Sequence, residues 1–268
     1  MSAALDRVLL KKRLPFRLGT TSYIFPDDII PNVTMLAPAV DDIELILFES
    51  DEISNYPDHE TIRTLKNLAA ENDLTYTVHL PLDIQLGSPD DAERISSVNK
   101  CLRAVTRTEA LKPFAYIVHL NRIESGIDLD AGMDSWLTGL RRSMEAFHSA
   151  GLPMERLCIE TLDYPFERVE AIINDYETAV CLDVGHILLY GYPLAAYLGR
   201  YFEHCPVIHL HGIRCGKDHR DIAMINSDEL SLLFERLSLN DKQRVLTLEM
   251  FSQTDLKNSL TTIEKYVL

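Results

Sequence analysis

Eight short runs rich in Val, Ile, Leu and Tyr recur along the chain, at 16–23, 42–48, 74–80 and 114–120 and then at 155–160, 177–185, 206–212 and 244–250. Their apolar positions are dense rather than strictly alternating, the pattern of parallel strands covered on both faces. Between them lie segments with apolar residues at helical spacing. Asp58 precedes one carrying Ile62, Leu65 and Leu68, and Asp90–Asp91 open a longer one through Val98, Leu102 and Val105. Pro165, Pro193 and Ser227 stand at first-turn or cap positions of others. Gly151 falls where a left-handed C-terminal cap belongs, after Leu140, Met144 and Phe147. With a last segment at 254–268 there are eight strand–helix units and no Ser/Gly-rich linker dividing them. The pattern predicts one α/β domain over 1–268, a (β/α)8 TIM barrel, with residues 1–14 as an N-terminal extension. An open doubly wound sheet is the alternative, but no G-x-G-x-x-G turn follows the first strand.

Charge narrows the partners. The chain carries 41 acidic against 26 basic side chains, a formal net charge of −15. A general nucleic-acid binder needs a basic face to displace counterions, so nucleic acid is disfavoured as a partner. Five cysteines (Cys101, Cys158, Cys181, Cys205 and Cys215) form no C-x-x-C pair, which points to a reducing compartment and a cytoplasmic protein. At the N-terminus, Lys-Lys-Arg follows a three-residue apolar run, unlike a secretory signal or a membrane span, so no membrane partner is expected. Asp27–Asp28 and Asp41–Asp42 read as helix-start or solvated charges.

The strand ends carry the candidate chemistry. In a parallel barrel the C-terminal ends of the strands converge on one face. Here the third ends at His79, the fourth at His119 and the fifth at Glu160. The sixth carries Asp183 with His186 three residues on, the seventh His209 and His211, and the eighth Glu249. Each has an ordinary reading alone: a hydrogen-bonded histidine, an ion-pair partner, a helix cap at Asp183. Together they would repel one another unless a cation held them. Asp218 and His219, in CGKDHRDI after the seventh strand, extend the candidates to nine, too many for one ion and suited to two or three. Imidazole-rich ligation favours zinc, and a larger carboxylate share manganese. One divalent ion with Glu160, Asp183 and Glu249 leaves about −1, two about +1 and three about +3, so metal rather than lysine would attract an anionic substrate. Arg214 and Lys217 are further candidate substrate contacts beside ordinary solvated charges.

These residues and their order resemble the xylose-isomerase-like barrel superfamily, which includes sugar isomerases and epimerases and the endonuclease IV enzymes. The resemblance implies metal or substrate roles for Glu160, Asp183, His186, His209 and Glu249, and the endonuclease IV branch adds His79 and His119. Its last Asp-x-His pair is not reproduced, because Asp218 and His219 are adjacent. More narrowly, RLGTTSYIFPDDIIPNV, DDIELILFE and YTVHLPLDIQLG are similar to the cobamide-remodelling phosphodiesterases of bacteria and archaea. That similarity implies hydrolysis of the cobamide nucleotide-loop phosphodiester to cobinamide phosphate and an α-riboside, for salvage and remodelling.

The expected arrangement places one ion on His79, His119 and Glu160 and another on Glu160, Asp183, His209 and Glu249. His186 then either joins His219 on a third ion or binds the phosphate. Glu160, Glu249 and His186 are the catalytic candidates, Glu249 either as ligand or as an unligated general base. Both His209 and His211 face one side of the strand, and His209 matches the superfamily's ligand position. His211 and Tyr23 are assigned to substrate. Tyr23, Ile24, Phe25, Tyr190, Tyr192 and Tyr197 offer apolar walls for a corrinoid, and the long 81–89 connection a wall or a lid. A sugar or sugar-phosphate isomerase or epimerase is the enzymatic alternative, and a non-catalytic cobamide carrier the alternative of another class.

Overall fold

The structure is a computed structural model that describes residues 10–50, 53–122, 132–239 and 242–267. The chain runs β1 (Arg17–Thr21), α1 (Ile29–Leu36), β2 (Asp42–Ile46), α2 (His59–Asn72), β3 (Thr75–His79), α3 (Asp91–Thr108), β4 (Tyr116–Val118), α4 (Met133–Ser149) and β5 (Leu157–Glu160). It continues α5 (Glu170–Asp175), β6 (Ala179–Asp183), α6 (Val184–Leu189), α7 (Leu194–Tyr201), β7 (Val207–Leu210), β8 (Gly212–Arg214), β9 (Lys217–Arg220), α8 (Ser227–Ser238), β10 (Val245–Leu248) and α9 (Gln253–Val267). Eight strands close in the order β1-β10-β7-β6-β5-β4-β3-β2, every neighbour parallel, while β8 and β9 form a separate hairpin. All eight apolar runs form the barrel strands.

Local chemistry explains the boundaries. Asp58 and Asp90 accept the Thr61 and Glu93 backbone N–H groups, satisfying donors that the helix itself leaves free. Gly151, just past α4, has φ +79°, a conformation that costs a residue without Cβ little. Of the expected N-terminal extension, residues 1–9 lie outside the described residues. Leu10 is buried, and Lys11 Nζ donates to Ala37 O at 2.6 Å.

Two expectations change. Asp41 and Asp42 are neither solvated nor at a helix start: both are buried at the head of β2. Asp41 accepts the Lys12 and Leu18 N–H groups at 3.0 and 3.1 Å, and Asp42 accepts Thr75 Oγ1 at 2.5 Å. Burial pushes the Asp42 carboxyl up to about 6. The 81–89 connection is a fastened wall. Asn121 donates to the Leu82 and Ile84 carbonyls, Ser143 donates to Leu86 O, and a Cβ on Gly87 would stand 2.1 Å from the Trp136 ring. Among the described residues no helix is long and apolar enough to cross a membrane.

Candidate metal centre

The strand register puts the donors on one level of the lumen. Glu160 pairs with Cys181 and Asp183 with His209, so alternate residues on β5, β6 and β7 project inward together. Glu160 is fully buried at their centre: its Oε2 lies 3.3 Å from His79 Nε2, 3.0 Å from His119 Nε2 and 3.5 Å from His209 Nδ1. Its Oε1 lies 3.4 Å from His186 Nδ1, which is 3.0 Å from Asp183 Oδ2. Glu249, just past β10, brings Oε2 to 3.2 Å from His209 Nδ1. Asp183 caps α6 as well, accepting the His186 N–H at 2.8 Å, so the ordinary and the functional reading of this residue hold together.

Neighbouring groups set which ring nitrogens are free. His79 Nδ1 donates to Leu80 O at 2.8 Å, which leaves the Nε2 lone pair aimed at Glu160. The His219 backbone N–H donates to His211 Nδ1 at 3.0 Å, so His211 carries its proton on Nε2 and donates it to Asp183 at 3.2–3.3 Å. Fully buried, with the His219 N–H on Nδ1 and Asp183 on Nε2, His211 supports Asp183. Its ring rests on Gly185, where a Cβ would come within 2.1 Å of it.

His219 arrives on the β8–β9 hairpin. Cys215 and Gly216 make its two-residue turn at φ +53° and +72°, the left-handed pair that matches strand twist. The His219 ring stacks on His211, with centroids 4.4 Å apart, and on Phe251 at 5.1 Å. Its Nε2 is 3.7 Å from Glu249 Oε1, and Asp218 Oδ2 is 4.0 Å from His186 Nε2. Arg214 and Lys217 flank the turn and are exposed, outside the donor group. Tyr23 is half-buried, its hydroxyl accepting Asn55 Nδ2 at 2.8 Å. Among the expected wall residues Ile24 and Tyr197 are core, whereas Tyr190 is exposed with its ring 6.1 Å from that of His186.

The donor set fits divalent metal. Glu160 Oε1, Glu249 Oε2, His119 Nε2, His186 Nδ1 and His209 Nδ1 are buried without a hydrogen-bond partner. Buried polar atoms are rarely left so, and lone pairs facing lone pairs need a cation between them. The potential ligand atoms fall into clusters within 4.8 Å: His79–His119–Glu160, Glu160–Asp183–His209–Glu249 and His186–His211–His219. Cys181 also comes that close to Glu160 and His209, and without metal its burial pushes the thiol well above the ordinary range. Without metal, protons supply the countercharge. Burial opposes a charge on His79 and His186, yet Glu160 carries the first up to about 9, and Asp183 with Glu160 the second to about 10. Burial likewise opposes ionisation of Glu160, but His119 and His209 hold its carboxyl well below the usual range.

Glu44 is the residue the sequence reading missed. It sits fully buried in β2, its Oε2 2.8 Å from His209 Nε2. The available signal was a carboxylate two residues after Asp42, on the same face of an otherwise apolar run.

A closed parallel barrel with convergent acids and imidazoles at the strand ends is a TIM barrel whose donors could hold metal. The chain belongs to the xylose isomerase-like TIM barrel family, whose pattern matches residues 39–266. No curated protein sequence matches it significantly. Among solved structures it is similar to a D-tagatose 3-epimerase-like protein, with TM-score 0.76 and 16% identity over 94% of this chain and 97% of that one. Endonuclease IV from Thermus thermophilus superposes with TM-score 0.69 and 18% identity, covering 93% and 99%. For 3-keto-D-glucoside 4-epimerase from E. coli the values are 0.66 and 14%, covering 94% and 98%.

Proposed function

We propose that the chain is a metal-dependent phosphodiesterase whose centre holds two ions sharing Glu160, one with His79 and His119 and one with Asp183, His209 and Glu249. The observation that carries this reading is the His79–His119 pair beside a four-donor cluster that would suffice for one ion. A one-metal enzyme has no use for these two imidazoles, whose rings meet edge to face at 4.8 Å. Zinc is the first choice for the imidazole-rich position and manganese for the carboxylate-rich one.

Bound divalent ions supply a nucleophile at neutral pH, by lowering the pKa of bound water from ~16 to ~7, and offset charge on the phosphoryl oxygens. The chain's own residues do the rest. Glu160 would be shared by the two positions, and Leu80 O keeps the His79 proton on Nδ1, away from the centre. His186 turns Nδ1 inward and leaves Nε2, on the Asp218 side, for a phosphate oxygen. Glu44 adds a fourth buried carboxylate to Glu160, Asp183 and Glu249, so two divalent ions make the site about neutral. A third, on His186, His219 and Asp218 in place of that phosphate contact, would bring it to about +1, Asp218 adding a fifth carboxylate, and draw in a phosphodiester despite the acidic protein.

Cobamide is the proposed substrate, on the sequence similarity noted above and on the rim. Phe48, Leu82 and Phe251, which follow strands, and Tyr190, which follows α6, are 38–49% exposed, an apolar surround suited to a corrinoid. Sugar or sugar-phosphate epimerisation is the second reading, favoured by the completeness of the Glu160–Asp183–His209–Glu249 cluster and the Glu160/Glu249 pair. Incubation with adenosylcobalamin, followed by chromatography, decides. The phosphodiesterase yields cobinamide phosphate and an α-riboside, and the products vanish in His79→Ala. Unchanged adenosylcobalamin with turnover of a ketose establishes the epimerase instead, and binding without change a carrier.

A further inference from the structure

We propose that Glu44 is a positioning residue, which reaches across the lumen to hold His209 in the tautomer that presents Nδ1 to the metal ions. The inference rests on the metal reading above. Glu44 lies on β2 and His209 on β7, with β1 and β10 between them in the barrel order, so their contact spans the interior. Both side chains are fully buried, and Glu44 Oε2 stands 2.8 Å from His209 Nε2.

A neutral imidazole has one N–H, and an ionised carboxylate only accepts. With metal bound the imidazole is neutral, so its proton sits on Nε2 toward Glu44, and Nδ1, 3.2 Å from Glu249 Oε2 and 3.5 Å from Glu160 Oε2, is the nitrogen left for the metal. Nδ1 has no hydrogen-bond partner of its own. A backbone carbonyl would fix a tautomer equally well, as Leu80 O does for His79. A buried carboxylate costs far more to desolvate, and what it adds is charge, which raises the basicity of the imidazole as a ligand. Packing or another hydrogen-bond network does not account for the cost. Among the described residues His209 is the one side-chain hydrogen-bond partner of this carboxylate, and Glu44 Oε1 has none.

The test compares the wild type with Glu44→Gln and Glu44→Leu by competition for zinc against a chromophoric chelator. Visible absorption of the cobalt(II)-loaded proteins reports the ligand field, and thermal melting of the metal-free proteins reports folding. Glu44→Leu is expected to bind its zinc about 10–100-fold more weakly with an altered cobalt spectrum, and Glu44→Gln to fall between it and the wild type. Should the leucine variant fail to fold, the glutamine variant decides, and a loss of about tenfold is expected there. Wild-type zinc affinity and cobalt spectrum in the folded variants overturn the role of Glu44 while leaving the metal reading intact. A change in melting alone does the same. A wild type that binds no zinc overturns both.

Discussion

Below the metal donors the lumen is lined differently on its two flanks. From β4 round to β7 and on β10, Ala115, Ile117, Cys158, Cys181, Val207 and Val245 form one small apolar cluster. On the β1–β3 flank Asp42, Glu44 and Thr77 are buried, and Gly19 leaves room where a Cβ would stand 3.2 Å from that of Asp42. The apolar flank needs no explanation beyond packing. The polar flank is costly by itself, and its carboxylate reaches back to a ligand histidine. Burial of the one kind supports the barrel, and burial of the other supports the site.

Breaking the donor level gives the largest effect. Glu160→Gln, which removes the carboxylate shared by both proposed positions, is expected to reduce phosphodiester turnover on the order of 10³-fold and bound metal by at least one ion. Full metal content with full turnover would reject the shared position. On the apolar flank, Ile117→Ala is expected to cost about 2–5 kcal/mol in denaturant unfolding with metal content unchanged. Loss of metal there would mean that the flanks are not separable.

Acidity sharpens the contrast, because the donor level holds imidazoles whose carboxylate partners raise them well above their ordinary range. His79 and His186, raised to about 9 and about 10 without metal, contribute stability that is fully present below their ordinary value of 6.5. That contribution is lost as pH rises through 9–10. Chelated protein should therefore melt at falling temperature from pH 6.5 to 10. Metal affinity should rise over the same interval, since each ligand must give up its proton. Protons released on titrating zinc into weakly buffered protein at pH 7 provide the check, and zinc binding without release would contradict it. Smallest is Thr247→Val. The Thr247 hydroxyl is buried without a partner, so its removal is expected to change stability by less than about 1 kcal/mol, in the stabilising direction. A loss of several kcal/mol would show the hydroxyl to be bonded.

The barrel was legible because eight strands buried on both faces leave continuous apolar runs, and the expected donors because they stand where those runs end. Three features were not legible, each for a physical reason. Asp41 and Asp42 look like surface charges until the chain places them at the head of a strand with Lys12 and Leu18 N–H groups on one and Thr75 on the other. Glu44 is hidden inside an apolar run, and its partner lies 165 residues away. Period-two alternation cannot separate His209 from His211, since both point inward. Tertiary neighbours separate them: Glu44 leaves Nδ1 of the first open, while the His219 N–H and Asp183 occupy both nitrogens of the second.

The most direct measurement is the number of zinc and manganese ions per chain, by mass spectrometry on protein purified without chelator. Two or more per chain, falling by at least one in Glu160→Gln, is the predicted result. One ion or none would contradict a centre built around a shared carboxylate.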